Sequence, residues 1–519
     1  MEMRTRKAYA SGVRMGSRDA WQARQACAKL QSIRNADNKK QKKHWRVYMG
    51  SIYKGLAPEI RKKRIKADGF DFIYGTTDID DSLMGNFGRQ SKENDLVGKY
   101  KTIVSGEVWN KSEKRMVLHH LLRAEKCSSK IKERFDFYSA EKKKCFEFAD
   151  KVHSSDEFTD FVQIGIGGSI LGAQLLYDAF SPCVKKAKSD YRAFFVSNID
   201  KEYLIEVLDS LKFDKTLFIF VSKSGTTYET QLAKEWIEEY VSSRKIAGFD
   251  LKKHSLAVTS ETSPMAKGDG YFAKFFIDDY VGGRYSVSSP CAMLITSIIY
   301  GTKACEDFLS GMRSVDELST KASPSDNPSM LAALYSVYEN LKQKKNISVC
   351  LPYAEGAKLL PLYLQQLVME SNGKNHDHDG KYTREYTGQF FFGDRGTCAQ
   401  HSFCQLLHQG NYPFSLEFIC FRDKHELFMS AVSQSLALFC GDKEKGFDGG
   451  RSSTMLLFDK YSPKSIGQII SFYENKTMFQ GFMYGINSFD QPGVELGKKL
   501  LKAISAGSDA DLKEVAESF

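Results

Sequence analysis

The chain has no Cys-x-x-Cys pair anywhere in its 519 residues. Its eleven cysteines are dispersed at spacings that suit neither a zinc site nor a disulfide framework. Metal is therefore not expected, and free thiols in a reducing, cytoplasmic compartment are. No apolar run approaches the roughly 18 residues needed to cross a bilayer. No charged-then-apolar signal segment opens the chain. Repeats and low-complexity tracts are missing too. These absences argue against a membrane, secreted or fibrous protein. What remains is ordinary globular composition, 42% apolar and 27% charged, at a length that suits roughly two to four domains.

The formal net charge of +10 sits at one end. Residues 1–66 carry 19 Lys or Arg against 4 Asp or Glu, and the remainder carries 55 against 60. A basic run such as Arg61-Lys62-Lys63-Arg64-Ile65-Lys66 can meet nucleic acid or an acidic membrane surface. It has no interleaved aromatics and no recognised binding motif. The expectation is a solvated helical surface, with neither nucleic acid nor membrane as partner. An Arg-rich, acid-poor start also suits a transit peptide, but the amphipathic pattern of one is missing.

Strand-like apolar runs alternate with helical stretches through the centre. Phe161–Ile166, Ala193–Ser197, Thr216–Val221 and Ser255–Thr259 read as strands, with helices over Leu171–Phe180, Glu202–Leu211 and Glu229–Ser243 between them. A second set follows at Ile347–Leu351, Gln389–Phe392 and Leu416–Cys420. Strands alternating with helices imply parallel sheets covered on both faces. The expected fold is α/β, with two doubly wound sandwich domains and mostly parallel sheets. Residues 1–130 read as an N-terminal helical segment packing with the larger domain. Residues 131–302 read as the smaller α/β domain, and 303–519 as the larger.

In an open parallel sheet, ligands bind beyond the carboxyl ends of the strands. Two loops there carry anion-binding chemistry. Gly165-Ile166-Gly167-Gly168-Ser169 follows a strand and enters a helix, so its backbone can approach an anion at the helix N-terminus. Ser222-Lys223-Ser224-Gly225-Thr226-Thr227 has the same placement. Ser222, Ser224 and Thr227 offer hydroxyls, and Lys223 offers charge. Each loop alone could be an ordinary turn; two after neighbouring strands favour a monophosphate site. The Gly-Lys-Thr ending of a nucleotide P-loop is missing, and the first loop does not complete a dinucleotide fingerprint. A small phosphorylated substrate is the better fit.

Gly393-Asp394-Arg395-Gly396 places a carboxylate between glycines, just before a predicted helix. That helix reads with an apolar face of Phe403, Leu406 and Leu407 and a polar face of Gln405, His408 and Gln409. Such an acid can cap a helix or transfer a proton.

Taken together, these loops and blocks resemble the glucose-6-phosphate isomerase (phosphoglucose isomerase) family. Ser105–Arg123, Val281-Gly282-Gly283-Arg284-Tyr285-Ser286, Met369-Glu370-Ser371-Asn372-Gly373-Lys374 and Asn487–Lys498 are similar to family blocks in the same order. The resemblance covers roughly residues 95–505. It implies reversible conversion of glucose 6-phosphate to fructose 6-phosphate, as in glycolysis and gluconeogenesis, without metal or organic cofactor. It also implies a homodimer whose active site is shared between subunits. On this resemblance Gly168 and Ser169 lie at the sugar-phosphate loop, and Ser222, Lys223, Ser224 and Thr227 hold the phosphate. Arg284 sits near the carbon-1 and carbon-2 oxygens, and Asp394 moves the proton. His425 and Lys498 open the ring, with Gln491 nearby. His119, His120 and His401 are assigned to packing or hydrogen bonding.

A carboxylate can take a proton from one carbon and return it to the next, and a fixed guanidinium can stabilise the enediolate between them. The chain departs from the family pattern at four places. Asp394 stands where Glu is usual, Arg395 where Pro is usual, Ile170 where Asp is usual, and Pro492 where Trp is usual. Two alternatives follow: a sugar-phosphate-binding homologue with impaired turnover, and an isomerase that also accepts mannose 6-phosphate.

Overall fold

In the computed structural model of the chain, residues 55–246, 248–506 and 509–519 are described. The chain divides into two units, Met1–Lys62 and Lys63–Phe519, and everything below concerns the second. That unit opens with an antiparallel pair, β1 (Arg64–Ala67) and β2 (Phe70–Ile73). The turn between them runs through Gly69 at φ +81°, a left-handed conformation that glycine adopts without strain. The end of the basic run is thus an edge strand rather than a helical surface. A short hairpin follows, β3 (Val108–Asn110) and β4 (Arg115–Met116).

The first sheet is wholly parallel. It contains β5 (Asp160–Ile164), β6 (Arg192–Val196), β7 (Thr216–Val221), β8 (Ser255–Thr259) and β9 (Ala273–Phe276), in the order β6-β5-β7-β8-β9. β5, β7 and β8 are buried along their full length. A parallel sheet covered on both faces requires such continuous apolar runs, which is why these strands read so clearly in the sequence. β9 is only partly buried and was not expected.

The second sheet has the order β1-β2-β13-β12-β10-β11. Its parallel part is β10 (Ile347–Pro352), β11 (Phe390–Gly393), β12 (Ser415–Phe421) and β13 (Thr454–Phe458). β2 joins β13 antiparallel. The N-terminal segment therefore supplies two strands of this sheet besides its helices Asp81–Glu93 and Leu96–Val104.

The helix Pro463–Tyr484 forms the centre of the unit. Every residue from Ser465 to Phe482 is buried, and the helix packs against Thr302–Leu318 and Pro328–Leu341. The approach is close because glycines face backbone: a β-carbon on Gly467 would lie 2.0 Å from the Phe308 carbonyl oxygen, and one on Gly311 1.9 Å from that of Lys464. Several polar side chains on this helix find buried partners, as most buried polar groups do. Lys476 Nζ lies 2.5 Å from Glu417 Oε1, and Gln480 donates to Ser336 Oγ at 2.6 Å. Glu474 meets Arg123 at 2.7 Å, and Arg123 also grips Asp316 through Nε and Nη2.

Candidate active site

One short segment, Val281–Ser286, gathers the pieces of the site. It follows β9 and makes a single turn at Gly283–Tyr285. At its start, Lys223 Nζ donates to the Val281 carbonyl at 3.1 Å. In its middle, Gly283 lies against Gly168: a β-carbon on Gly168 would sit 2.1 Å from Gly283 O and 2.2 Å from its carbonyl carbon. At its end, Ser286 Oγ donates to Gly168 O at 3.0 Å. The two loops after β5 and β7 are thereby fixed to one stretch of backbone.

Within those loops, Gly167–Ser169 form a single turn after β5. Gly167 has φ +57°, and the Gln366 amide nitrogen lies 2.9 Å from where its β-carbon would be. Gln366 Oε1 has no hydrogen-bond partner among the described residues. After β7, the Ser222 and Thr227 hydroxyls bond at 2.7 Å, and Ser222 Oγ also accepts from Gly225 N at 3.1 Å. Ser224 is exposed and accepts from the Thr226 N–H at 3.2 Å. Ser222, Gly225 and Thr227 line a cavity of about 500 Å³. Burial holds the Lys223 ammonium below the ordinary lysine range.

Arg284 is 1% exposed. Its Nε donates to Ser371 Oγ at 2.6 Å and Nη1 to Gln491 Oε1 at 2.7 Å. Its Nη2 donates to the Ser488 and Asp490 carbonyls at 2.7 and 3.0 Å. Glu370 Oε1 is 3.6 Å from Nη1. A guanidinium has five N–H groups in a rigid fork, and here the protein occupies four of them directly and faces a carboxylate with the fifth. Behind it, Tyr285 bonds to Ser371 Oγ at 3.2 Å and stacks on the buried ring of His119 with centroids 4.5 Å apart. Burial pushes His119 well below the usual histidine range, so this ring is neutral packing. His120 is buried beside it and bonds to Val104 O at 3.3 Å.

The carboxylate beside Arg284 is thus Glu370, not Asp394. Glu370 ends a stretch of π-helix, Gln365–Glu370, a widened turn that is rare and frequent at functional sites. With Gln491 and Asp490 it lines a cavity of about 1100 Å³ under the Gly373–Gly380 loop. Sequence reasoning missed Glu370: its Met369–Lys374 block stood out, but nothing local marks the acid within it.

Asp394 follows the edge strand β11 instead. Its Oδ1 accepts from the Arg395 N–H at 2.7 Å, and the Arg395 guanidinium is 3.6 Å away, itself paired with Glu355. None of its contacts among the described residues reaches Arg284, Gln491 or either glycine loop. The helix after it is broken in two, Gly396–Gln400 and Cys404–Gln409. Leu407 is buried, but Leu406 is 51% exposed, so the expected apolar face is only half covered. His408 turns inward to Gln434 at 2.8 Å. His401 is exposed in the turn between the two helices. His425 is exposed at the first position of the helix His425–Cys440, likewise apart from Arg284. Lys498 lies in the helix Glu495–Ala506, but its side chain falls outside the described part of the structure. Arg284, Gln491, Gly168, Ser169 and the Ser222–Thr227 loop are linked; among the described residues, no hydrogen bond or ion pair ties Asp394 or His425 to them.

A sequence model of phosphoglucose isomerase matches residues 73–518. The chain belongs to the phosphoglucose isomerase family. Among relatives, the glucose-6-phosphate isomerase of Treponema denticola is 37% identical over 474 residues, 86% of this chain and 89% of that protein. The glucose-6-phosphate isomerase of Borreliella burgdorferi is 35% identical over 512 residues, 90% of this chain and 96% of that one. The crystal structure of a glucose-6-phosphate isomerase from Chlamydia trachomatis superposes with a TM-score of 0.84 at 32% identity, covering 89% of this chain and 93% of that one. The match to phosphoglucose isomerase runs from the end of β2 through β13 and the Asn487–Gln491 loop, so the elements that build the Arg284 group all lie within the matched region.

Proposed function

We infer that the protein is a glucose-6-phosphate isomerase, an aldose–ketose isomerase that interconverts glucose 6-phosphate and fructose 6-phosphate. The observation that carries the reading is the group Glu370–Arg284–Gln491, fastened through Val281–Ser286 to two anion-binding loops. The phosphate is held by Ser222, Lys223, Ser224 and Thr227, with Gly168 and Ser169 along the sugar. The division of labour follows the chain: residues 131–302 carry the phosphate loops, and residues 303–519 carry the carboxylate.

Proton transfer is assigned to Glu370 in place of Asp394. A base that takes the carbon-2 proton and returns it to carbon 1 must stand within reach of both carbons and beside a positive charge, because the enediolate between them is anionic. Glu370 meets that condition at 3.6 Å from Arg284. The hydrogen removed at carbon 2 is restored at carbon 1, so the step consumes no oxidant and no cofactor. Arg284 acts through its charge and by holding Gln491, since its donors are already occupied.

Ring opening needs an acid at the ring oxygen and a base at the anomeric hydroxyl, and a histidine titrates in the right range. The protein works as a homodimer in the cytoplasm, with His425, Lys498 and Asp394 serving at the shared site. Supporting the dimer, β11 is an edge strand and its surroundings expose Tyr382, Tyr386, Phe390, Leu406 and Tyr412. Exposed apolar side chains in an edge strand and in the segments flanking it in sequence suit a surface that a partner covers.

A coupled assay on purified protein tests this. Wild type converts fructose 6-phosphate. Glu370→Gln, which keeps the shape and removes the base, lowers kcat by about 10² to 10⁴. Asp394→Asn lowers it by less than about tenfold, a change too small for loss of the base. A wild type without turnover sinks the isomerase reading. Full activity in Glu370→Gln with loss in Asp394→Asn returns proton transfer to Asp394.

A further inference from the structure

The loop that presents Gln491 is held by a pair of side chains not yet assigned a role. Asp490 gathers donors from four directions. Ser112 Oγ reaches its Oδ2 at 2.6 Å and Asn487 Nδ2 at 2.9 Å. Lys374 Nζ lies 3.0 Å from its Oδ1. Its backbone carbonyl accepts from Lys374 Nζ at 2.6 Å and from Arg284 Nη2 at 3.0 Å. Lys374 also donates to the backbone carbonyl of Glu370 at 3.0 Å. Its own main chain is fixed through Thr387, whose hydroxyl accepts from the Lys374 N–H at 3.0 Å and donates to the Lys374 carbonyl.

The Lys374 and Asp490 side chains are 11% and 16% exposed. Burial, followed by the charge of Arg284, pushes the Lys374 ammonium below the ordinary range. A lysine in that position carries a real desolvation cost, and a surface lysine would serve the loop equally well if only solubility mattered. What Nζ gains there is a bridge between two backbones: the one that presents Glu370 and the one that presents Gln491. Three donors on a point charge suit that geometry, since each goes to a different acceptor.

We propose that Lys374 and Asp490 form a positioning lock for the isomerisation. Lys374 ties the Glu370 backbone to the Gln491 loop, and the Asp490 carboxylate, held by Ser112, Asn487 and Lys374, fixes that loop so that the Asp490 main-chain carbonyl meets the Arg284 guanidinium. Neither side chain touches the reacting carbons; both act by fixing the separation of Glu370 and Arg284. The inference rests on the isomerase reading and on Glu370 as the base.

The test uses the full-length protein with Lys374→Met, Lys374→Arg and Asp490→Asn. Two quantities are read: kcat and KM for fructose 6-phosphate per folded molecule, with the folded fraction taken from circular dichroism, and the inhibition constant of inorganic phosphate. Phosphate reports on the Ser222–Thr227 loop, which neither residue touches. A displacement of about 1 Å at the reacting centre costs about a hundredfold in rate, so Lys374→Met and Asp490→Asn lower kcat by about that factor while phosphate inhibition stays at the wild-type value. Lys374→Arg, which keeps the charge, recovers most of the rate. Folded Lys374→Met and Asp490→Asn with wild-type kcat overturn the inference. So does a parallel loss of kcat and phosphate inhibition, which marks general loosening. A wild type without turnover overturns the isomerase reading and this inference together; an active wild type with unaffected variants overturns this inference alone.

Discussion

Replacing Gly168 by alanine asks whether the contact with Gly283 sets the geometry of the site. The new methyl would lie 2.1 Å from Gly283 O, 2.2 Å from its carbonyl carbon and 2.7 Å from its α-carbon. All three are backbone atoms, so no side chain can swing away. An ordinary carbon–oxygen approach is about 3.3 Å or more, so one strand of the contact must retreat by about 1 Å. Overpacking of this kind costs about 1–3 kcal/mol of stability. The larger effect is on rate. Gly283 adjoins Arg284, so a retreat there separates the sugar-phosphate loop from the Glu370–Arg284 group, at a cost of about a hundredfold in kcat/KM. The assay is steady-state conversion of fructose 6-phosphate, paired with urea unfolding. Gly85 provides the control: it lies in the helix Asp81–Glu93 with nothing within 4 Å of its β-carbon position. Gly85→Ala keeps full activity and gains up to about 1 kcal/mol from helix propensity. A Gly168→Ala variant with kcat/KM within about threefold of wild type refutes the argument, because a 1 Å displacement cannot be that cheap.

Two further outcomes follow from other parts of the molecule. Arg123 faces two carboxylates, Asp316 and Glu474, and one guanidinium balances only one of them. Burial raises Asp316, but Arg123 and the bonds from Asn475 and Ser471 outweigh it and its carboxyl is held below the usual range. Burial pushes Glu474 up to about 7 against the pull of Arg123, with Asp316 adding to the rise. The folded state therefore binds a proton that the unfolded chain releases near the ordinary glutamate pKa. Stability falls as pH rises between that value and 7, by up to about 1.4 kcal/mol per pH unit. Glu474→Gln, which mimics the protonated acid, flattens this slope in urea midpoints measured from pH 5 to 8; an unchanged slope counts against the assignment. Phe390, the first residue of the edge strand β11, is 70% exposed. Phe390→Glu shifts the protein to monomer in sedimentation velocity and lowers activity with it, while a dimer unaffected by this charge places the interface elsewhere.

The sequence disclosed those parts of the fold whose burial is complete. β5, β7 and β8 are apolar throughout because both faces of a parallel sheet are covered, and such runs are hard to mistake. β1 was hidden because an edge strand tolerates charge: Arg64 and Lys66 are read as solvated, and Arg64 pairs with Asp71 across the turn. The two anion loops were legible as Gly and Ser/Thr clusters after strands. Glu370 was not, although its block was. Nothing local separates a carboxylate at the end of a helix from a surface acid; its meaning comes from Arg284, which tertiary packing brings to 3.6 Å. Asp394 misled for the converse reason. Flanking glycines gave it the appearance of a ligand-facing acid, while the contacts its carboxylate makes are to its own neighbour Arg395 and its side chain is 40% exposed.

The Arg284 group also has a consequence in time. Its acceptors lie at Ser371, Ser488, Asp490 and Gln491, and the chain is made from its N-terminus at about 5–20 residues per second. The loops after β5 and β7 are made before Arg284, yet for tens of seconds this arginine has no Asn487–Gln491 loop to hold it. The Arg284 group is therefore completed only by a segment made 204 residues after Arg284 itself, and a chain cut short before Ser488 lacks three of the four acceptors on which this cation depends.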